Sequence, residues 1–183
     1  MPMFELQPMA AEFYRSQTRR STLMVCVILA ASCFLMANLS IFLFGEPGGD
    51  NNFRWNLAGV IAGLLLTIAL VRKVLWEQPW MAAAVYGLRL KRQLMKITNM
   101  LHQVEAAVAE EDPTAMKVLR FYHLGLIQMH TLEGNQTAIS DLVKGVDRHL
   151  ERMTAMGLAP EQNRLEQVWL DQISQRWRHL KRR

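Results

Sequence analysis

The chain has 183 residues and a formal net charge of +5, and 51% of its residues are hydrophobic. Two long uncharged apolar runs supply much of that share. A chain with two such runs does not form one soluble domain over its whole length. Both cysteines, Cys26 and Cys33, lie inside the first run, which excludes a disulfide-rich secreted fold.

Residues 1–22 are interpreted as a cytosolic N-terminal segment. Phe4 and Leu6 offer apolar side chains ahead of Arg19 and Arg20, a mixture that suits a short helix in the headgroup layer of a membrane. A partly ordered tail is the alternative interpretation of the same residues.

Residues 23–76 are predicted to form a two-helix transmembrane hairpin with a short periplasmic turn at 45–54. Leu23–Phe44 contains 22 residues without a charge and Trp55–Val71 contains 17. At ~1.5 Å per residue the first run crosses the hydrocarbon core, and the second crosses it with help from its flanks. The first run is also longer than the apolar core of a cleaved signal peptide.

The charges that flank these runs predict their orientation. Arg19 and Arg20 precede the first run, and Arg72 and Lys73 follow the second, whereas the turn holds the single cation Arg54. The positive-inside rule therefore places both termini in the cytosol. Tryptophans prefer the membrane interface, so one is expected at the outer surface and two at the inner: Trp55, then Trp76 and Trp80.

Gly59 and Gly63 form a G-x-x-x-G step in the second run. Such a step lets another helix approach closely, because no side chain lies between the two backbones. The first span of the same chain is the expected partner. Self-association and a different membrane subunit are the alternatives.

Residues 77–183 are predicted to form a cytosolic domain without strands, so that the fold is all-α: the hairpin followed by a bundle of about four antiparallel helices. A break is expected near Gln78, because proline disfavours helix in the residue before it. Apolar spacing and capping residues predict the helices Trp80–Glu111, Pro113–Leu132, Thr137–Met156 and one that starts at Pro160.

His102, Glu105 and His123 are the candidate metal ligands of this domain. Imidazoles and carboxylates that face each other on neighbouring helices are how helical bundles hold metals. Buried histidines that hydrogen-bond to their neighbours are the main alternative, and a pH-sensing role is a further one.

The C-terminal run Gln175–Arg183 has five fixed positive charges. It could bind anionic lipid headgroups, or its cations could simply complement the dipole of the last helix. Nucleic acid is not expected, since no recognition motif accompanies the charge. No catalytic motif occurs, so we expect neither enzymatic activity nor a cofactor.

Four strings carry a resemblance to a known family: RRSTL, FRWNLAG, PWMAAAVYGLRLKRQLMKITNMLHQVEA and LRFYHLGLIQMH. They resemble a gammaproteobacterial inner-membrane family that is known only as a domain of unknown function. The resemblance implies two spans and a helical cytoplasmic region, with no assigned activity. The apolar helix Pro113–Leu132, the G-x-x-x-G step and the lack of a catalytic motif lead us to expect an inner-membrane interaction or scaffolding protein that contacts itself or another membrane protein. A metal- or ligand-responsive sensor and a lipid-surface regulator are the alternatives.

Overall fold

The computed structural model describes residues 3–46 and 52–180, apart from the side chains of Asp141, Lys144 and residues 178–180. The chain divides into two compact units. One is Arg15–Val85, called the apolar unit here, and the other joins Met1–Tyr14 to Tyr86–Arg183 and is called the helical unit. The N-terminal segment and the C-terminal helices thus belong to one unit, although the whole apolar unit separates them in sequence.

Two long helices make up most of the apolar unit. Helix α1 spans Ala11–Phe44 and helix α2 spans Phe53–Lys73, and both are long and apolar enough to cross a membrane. Helix α1 starts well before the apolar run, since no glycine or proline interrupts the residues that follow Ala11. Half of the predicted turn at 45–54 lies outside the described residues, because 47–51 are not described.

The break that the sequence predicts near Gln78 is confirmed. After α2 the chain forms two short 3-10 turns, Leu75–Glu77 and Pro79–Met81, and Gln78 between them is extended with φ −70° and ψ 139°. This is the conformation that a following proline favours, because the α region of the preceding residue clashes with the proline ring.

Five helices form the helical unit. The single long helix predicted over Trp80–Glu111 is wrong: the structure has two helices there, separated at Asn99 and Met100. The hydrogen bond of the Met100 amide shifts to the carbonyl of Ile97, three residues back, which ends the first helix. The helices are α3 Ala82–Thr98, α4 Leu101–Ala109, α5 Pro113–Glu133, α6 Gln136–Ala155 and α7 Gln167–Leu180.

The caps of α5 and α6 follow the local sequence. The Asp112 carboxylate accepts hydrogen bonds from the amides of Thr114 and Ala115, and Pro113 occupies the first helical position. Gly134 ends α5 in the left-handed region with φ 77°, and the Asn135 side chain caps α6. These three predicted caps are confirmed.

The prediction that the last helix starts at Pro160 is wrong, and so is the prediction that the domain has no strands. Helix α7 starts at Gln167, and the segment before it contains strand β2, Arg164–Leu165. Strand β1, Phe4–Glu5, pairs with β2 in antiparallel register. Two-residue strands leave no periodic signal in a sequence, and here their partners are about 160 residues apart.

Helix α5 lies at the centre of the helical unit and contacts α4, α6, α7 and β2. Nine of its residues are buried, which explains why its sequence is apolar around most of the helix. Phe4 and Leu6 from the N-terminal segment also pack against this core, so they do not serve as the anchors in a headgroup layer that the sequence suggested. The other core residues come mainly from α3, α4, α6 and α7: Ile97, Val104, Val108, Met153, Leu170 and Ile173.

Candidate functional site

The outer surface of α1 and α2 is apolar, and the described part of the chain leaves most of it uncovered. Only 6% of the most apolar window of α1 is buried, and 17% of that of α2. Phe42 is 84% exposed, Phe34 is 70% exposed and Leu65 is 61% exposed. An apolar surface of this length costs free energy in water and marks a contact with something apolar.

The buried side of α2 consists of small residues, Gly59, Gly63 and Thr67. A Cβ atom at position 59 would overlap the backbone of Ala37, and one at position 63 would lie 2.5 Å from the Cα of Cys33. Helix α1 therefore covers the G-x-x-x-G step of the same chain. As α2 advances from 59 to 63, its contact on α1 moves back from 37 to 33, so the two helices run antiparallel.

Three polar side chains of these two helices find acceptors close by. The Thr67 hydroxyl donates to the carbonyl of Gly63 at 2.9 Å, and the Asn38 amide donates to the carbonyl of Phe34 at 2.8 Å. The Cys33 thiol reaches the carbonyl of Val60 on the other helix at 3.6 Å. Such internal pairing is what a helix needs where water cannot supply a partner.

The cations that flank the apolar runs lie at one end of the helix pair. Continuing the register from Gly63 and Cys33 brings Arg72 and Lys73 level with residues 23 and 24 of α1, about one helical turn from Arg20. Arg19, Arg20, Arg72 and Lys73 are all exposed. This end therefore presents a concentrated positive charge.

The three tryptophans of the predicted interfaces lie near the helix ends. The Trp55 ring, in the first turn of α2, stacks on Phe44 at the end of α1 with 5.1 Å between ring centroids. Trp76 and Trp80 lie in the two 3-10 turns after α2, and both are partly buried. An aromatic ring thus stands at each end of the apolar length of α2.

The structure does not gather the candidate metal ligands. The His102 ring packs edge-on against Trp177 at 5.3 Å, whereas the His123 ring packs against His149. His102 and Glu105 are exposed. In the part of the chain that the structure describes, no group of three or more histidine, cysteine, aspartate and glutamate side chains lies close enough to hold a metal ion.

The half-buried His123 instead belongs to a cluster with the buried side chains of Arg120 and His149. No sequence pattern predicts this grouping. The Nε2 atom of His149 donates to the carbonyl of Met116 at 3.0 Å, and Arg120 Nε donates to the carbonyl of Pro160 at 2.8 Å. These bonds tie α6 and the segment before β2 to the central helix α5. We name these three residues the Arg120 cluster.

Burial controls the protonation of this cluster. Desolvation, with smaller contributions from His149 and Arg120, lowers the pKa of His123 to about 4. Desolvation also lowers the pKa of His149, against the opposing effect of its hydrogen bond to Met116. Both imidazoles are therefore neutral at pH 7, and Arg120 carries the charge of the cluster. Its pKa is lowered by burial, which the charge of Asp147 partly offsets.

The predicted basic tail is only partly described, because Lys181, Arg182 and Arg183 lie outside the described residues. Within the described part, Arg176 forms ion pairs with Glu110 and Asp112, with 2.7 Å between its Nη1 and the Asp112 carboxylate. At least one of the five fixed cations of this run therefore contacts the protein itself.

Tyr86 and Gln128 are further polar residues that sequence reasoning missed. The Tyr86 hydroxyl donates to the Gln128 side chain at 2.7 Å and accepts from the Gln7 amide at 3.0 Å. Burial raises the pKa of Tyr86. The position of Tyr86 on the apolar face of a helix was the one sequence signal for its role. Its partner Gln7 is 79 residues away in sequence, so no local pattern joins the two.

A family model described as "Protein of unknown function (DUF3087)" matches residues 4–170. The match takes in both long apolar helices and all of the helical unit up to the start of α7. No curated protein and no solved structure matches the chain.

Proposed function

The chain belongs to the DUF3087 family, whose description assigns no activity, and we propose that it is a membrane-anchored interaction protein. In this proposal α1 and α2 form a transmembrane hairpin in a bacterial inner membrane. Both termini and the helical unit lie in the cytosol. The observation that carries the proposal is the pattern of burial in α2, with small residues inside and large apolar residues exposed.

This pattern favours lipid over water as the surroundings of the pair. Helices in water associate by burying large apolar side chains, whereas helices in lipid gain nothing from that and associate through small residues. The core helix of a soluble protein would also be mostly buried, unlike α1 and α2. The cationic end, with Arg19, Arg20, Arg72 and Lys73, supports a cytosolic position for the termini.

Alkaline carbonate extraction of membranes tests the anchor with a matched pair of variants. Leu65 in α2 is 61% exposed, and Val168 in α7 is 57% exposed. An arginine near the middle of a spanning helix costs about 2.5–3.5 kcal/mol of insertion free energy. We therefore expect Leu65→Arg to reduce the membrane fraction, while Val168→Arg stays with the membrane as the unchanged chain does. Release of the unchanged chain by carbonate would contradict the anchor.

Reporter fusions test the orientation. A reporter that is active only outside the cytosol should work when inserted after Glu46 and fail when fused after Arg183. The opposite pattern would overturn the cytosolic position of the termini.

The interaction role places binding on the surface of the helical unit. The Arg120 and His149 side chains donate to the backbone carbonyls of Pro160 and Met116, and so these buried groups serve the fold. Gentle detergent extraction followed by native mass spectrometry should show a dimer, a larger oligomer or a bound membrane protein. A strictly monomeric species with nothing bound would contradict this role.

A further inference from the structure

The N-terminal segment Met3–Gln7, called the strap here, lies on the helical unit as a short peptide lies on a receptor. The Met3 amide donates to the carbonyl of Leu165 at 2.7 Å, and the Leu6 amide donates to the carbonyl of Asn163 at 2.8 Å. Phe4 lies opposite Leu165, and Glu5 lies opposite Arg164. This is strand addition, in which main-chain hydrogen bonds hold an extended peptide against an existing edge.

One side chain of the strap acts as an anchor. The Phe4 ring stacks on Tyr86 with 5.6 Å between centroids, and its edge meets Phe121 at 6.4 Å. Phe121 is fully buried at the centre of α5. Burying an aromatic ring contributes about 1.5–3 kcal/mol, and the ring contacts add to that. The alternating Glu5 faces solvent and meets Arg164 in an exposed ion pair, which contributes little.

Two side chains of the helical unit form hydrogen bonds with the backbone at the other end of the strap. The Tyr86 hydroxyl accepts from the Gln7 amide at 3.0 Å, and the Gln128 side chain donates to the Gln7 carbonyl at 2.6 Å. Tyr86 and Gln128 also bond to each other, which fixes both. Tyr86 and Gln128 thus form a clamp whose hydrogen bonds go to the backbone of residue 7. The clamp therefore holds an extended chain in one register.

The surface that receives the strap is thus a groove with an aromatic pocket, a strand edge and a backbone clamp. We define it by Tyr86, Phe121, Gln128, Arg164 and Leu165 and call it the strap groove. Pro8, Met9 and Ala10 link the strap to α1, and they lie outside any helix or strand. A five-residue segment on such a linker can leave and return without disturbing a helix.

We propose that the strap groove is a docking site for the strap of a second copy of this chain, so that two copies associate by exchanging residues 3–7. A second copy fits because its strap carries the same anchor, the same Glu5 and the same backbone length. Exchange of an identical element keeps every contact, which makes it a low-cost route to a dimer. At ~3.4 Å per residue the strap reaches about 17 Å from Pro8, so the groove of the second copy must come within that distance.

This inference deepens the interaction role proposed above, and it rests on that role but not on the membrane anchor. In the dimer that it describes, the strap groove of each copy holds the strap of the other copy. Each copy both offers a strap and receives one, so the interface has two-fold symmetry.

Disulfide trapping between two differently tagged full-length chains tests the exchange. Both chains carry alanine at the native positions Cys26 and Cys33. One chain carries Glu5→Cys and the other Arg164→Cys, so that neither can form the bond alone. Glu5 and Arg164 are opposite residues of an antiparallel pair, where Cα atoms lie about 4.5–5.5 Å apart, within disulfide range. Co-expression and mild oxidation should give a disulfide-linked heterodimer.

Three controls make the result decisive. A single chain with both Glu5→Cys and Arg164→Cys should form the disulfide in high yield, between copies where the strap is exchanged and within one copy where it is not, which shows that the variants fold and that the geometry is right. Replacing Arg164→Cys by Glu151→Cys, an exposed position on α6, should remove the heterodimer. Adding Phe4→Ala to the chain that carries Glu5→Cys should lower the yield about tenfold, the equivalent of losing one anchor contact.

Intrachain bonding in the double variant together with a heterodimer yield no higher than the Glu151→Cys control would overturn the exchange. If native mass spectrometry still shows dimers in that case, the interaction role stands and the strap is excluded as its basis. A heterodimer that is insensitive to Phe4→Ala would also overturn the proposal, because it would show contact without use of the groove.

Discussion

Helices α2 and α5 have the same length, 21 residues, and both are rich in apolar residues, yet they bury opposite kinds of side chain. Helix α2 buries Gly59, Gly63 and Thr67 and exposes both of its isoleucines and all of its leucines except Leu70. Helix α5 buries large side chains, including Met116, Phe121 and Leu132. Apolar composition therefore does not define a core. The side chains that a helix buries reveal the medium for which it was selected.

The largest test of this contrast compares two phenylalanines. Phe121 is fully buried in α5 and Phe42 is 84% exposed in α1. Phe121→Ala should lower the free energy of unfolding of the helical unit by about 3–5 kcal/mol, since it leaves a cavity. Phe42→Ala should change it by less than about 0.5 kcal/mol. Urea titration of the detergent-solubilised chain, followed by circular dichroism, measures both. Equal effects of the two substitutions on the free energy of unfolding would contradict the contrast between the two helices.

Acidification provides the second test, because only the helical unit contains the Arg120 cluster. The pKa of His123 is about 4 in the folded chain and 6.5 in an unfolded one. Between these pH values the unfolded chain binds more protons than the folded chain does. The contribution of His123 to the free energy of unfolding is therefore fully present above pH 6.5 and is lost as the pH falls toward 4. The loss from His123 should reach at most about 3 kcal/mol. His149, whose pKa is also lowered, adds in the same direction.

The pH effect is checked by thermal unfolding at pH 7.5 and pH 4.5. Replacing His123 by phenylalanine should reduce the difference between the two melting temperatures, because it removes one group that gains a proton on unfolding. His102→Gln, at an exposed position outside the Arg120 cluster, is measured alongside as the matched variant. A pH difference that His123→Phe does not alter would show that other groups carry it.

The third test acts on the small residues of α2. In Gly59→Leu the new Cβ overlaps the backbone of Ala37, so the helices must separate toward the ordinary axial distance of about 8–10 Å. Ala58→Leu, at the exposed neighbouring position, should leave the pair unchanged. Overpacking of this kind costs about 1–3 kcal/mol. Spin labels at Phe42 and Phe53, in a chain without native cysteines, report the distance by pulsed electron paramagnetic resonance. No change in Gly59→Leu would contradict the close approach.

Local signals in the sequence were sufficient for one class of features. The caps at Asp112, Gly134 and Asn135 depend on residues within one helical turn, and the break before Pro79 depends on two adjacent residues. The two long apolar helices follow from length and hydropathy alone. Each of these was predictable because the cause lies within the segment itself.

Features that join distant segments were not predictable in this way. The strap pairs with β2 across most of the chain, and the sequence around Phe4 fits a membrane interface as well as it fits an aromatic pocket. Its spacing to other potential ligands singles out His123, but its neighbour His149 is placed there by the packing of α6 against α5. Such partners depend on tertiary packing, which overrides local pattern.

The smallest effect concerns the N-termini of the same two helices. Asp112 caps α5 with one carboxylate oxygen and contacts Arg176 with the other, whereas Asn52 before α2 makes no capping bond and contacts the backbone of Glu46. Arg176→Gln removes the ion pairs and leaves the α5 cap, so unfolding should become easier by less than about 1 kcal/mol.

The loss should shrink further in 1 M NaCl, where charges are screened beyond about 3 Å, because Arg176 and Glu110 are both about half exposed. Asp112→Ala removes the cap and the Arg176–Asp112 pair but leaves the Arg176–Glu110 pair, and loss of the cap should cost roughly 1 kcal/mol in either salt. That cost should therefore persist in high salt, which separates the hydrogen bonds of the cap from the ion pairs. A cost of Asp112→Ala that vanishes in 1 M NaCl would show that α5 starts where it does because of charge, and the contrast with the uncapped start of α2 would then be one of electrostatics.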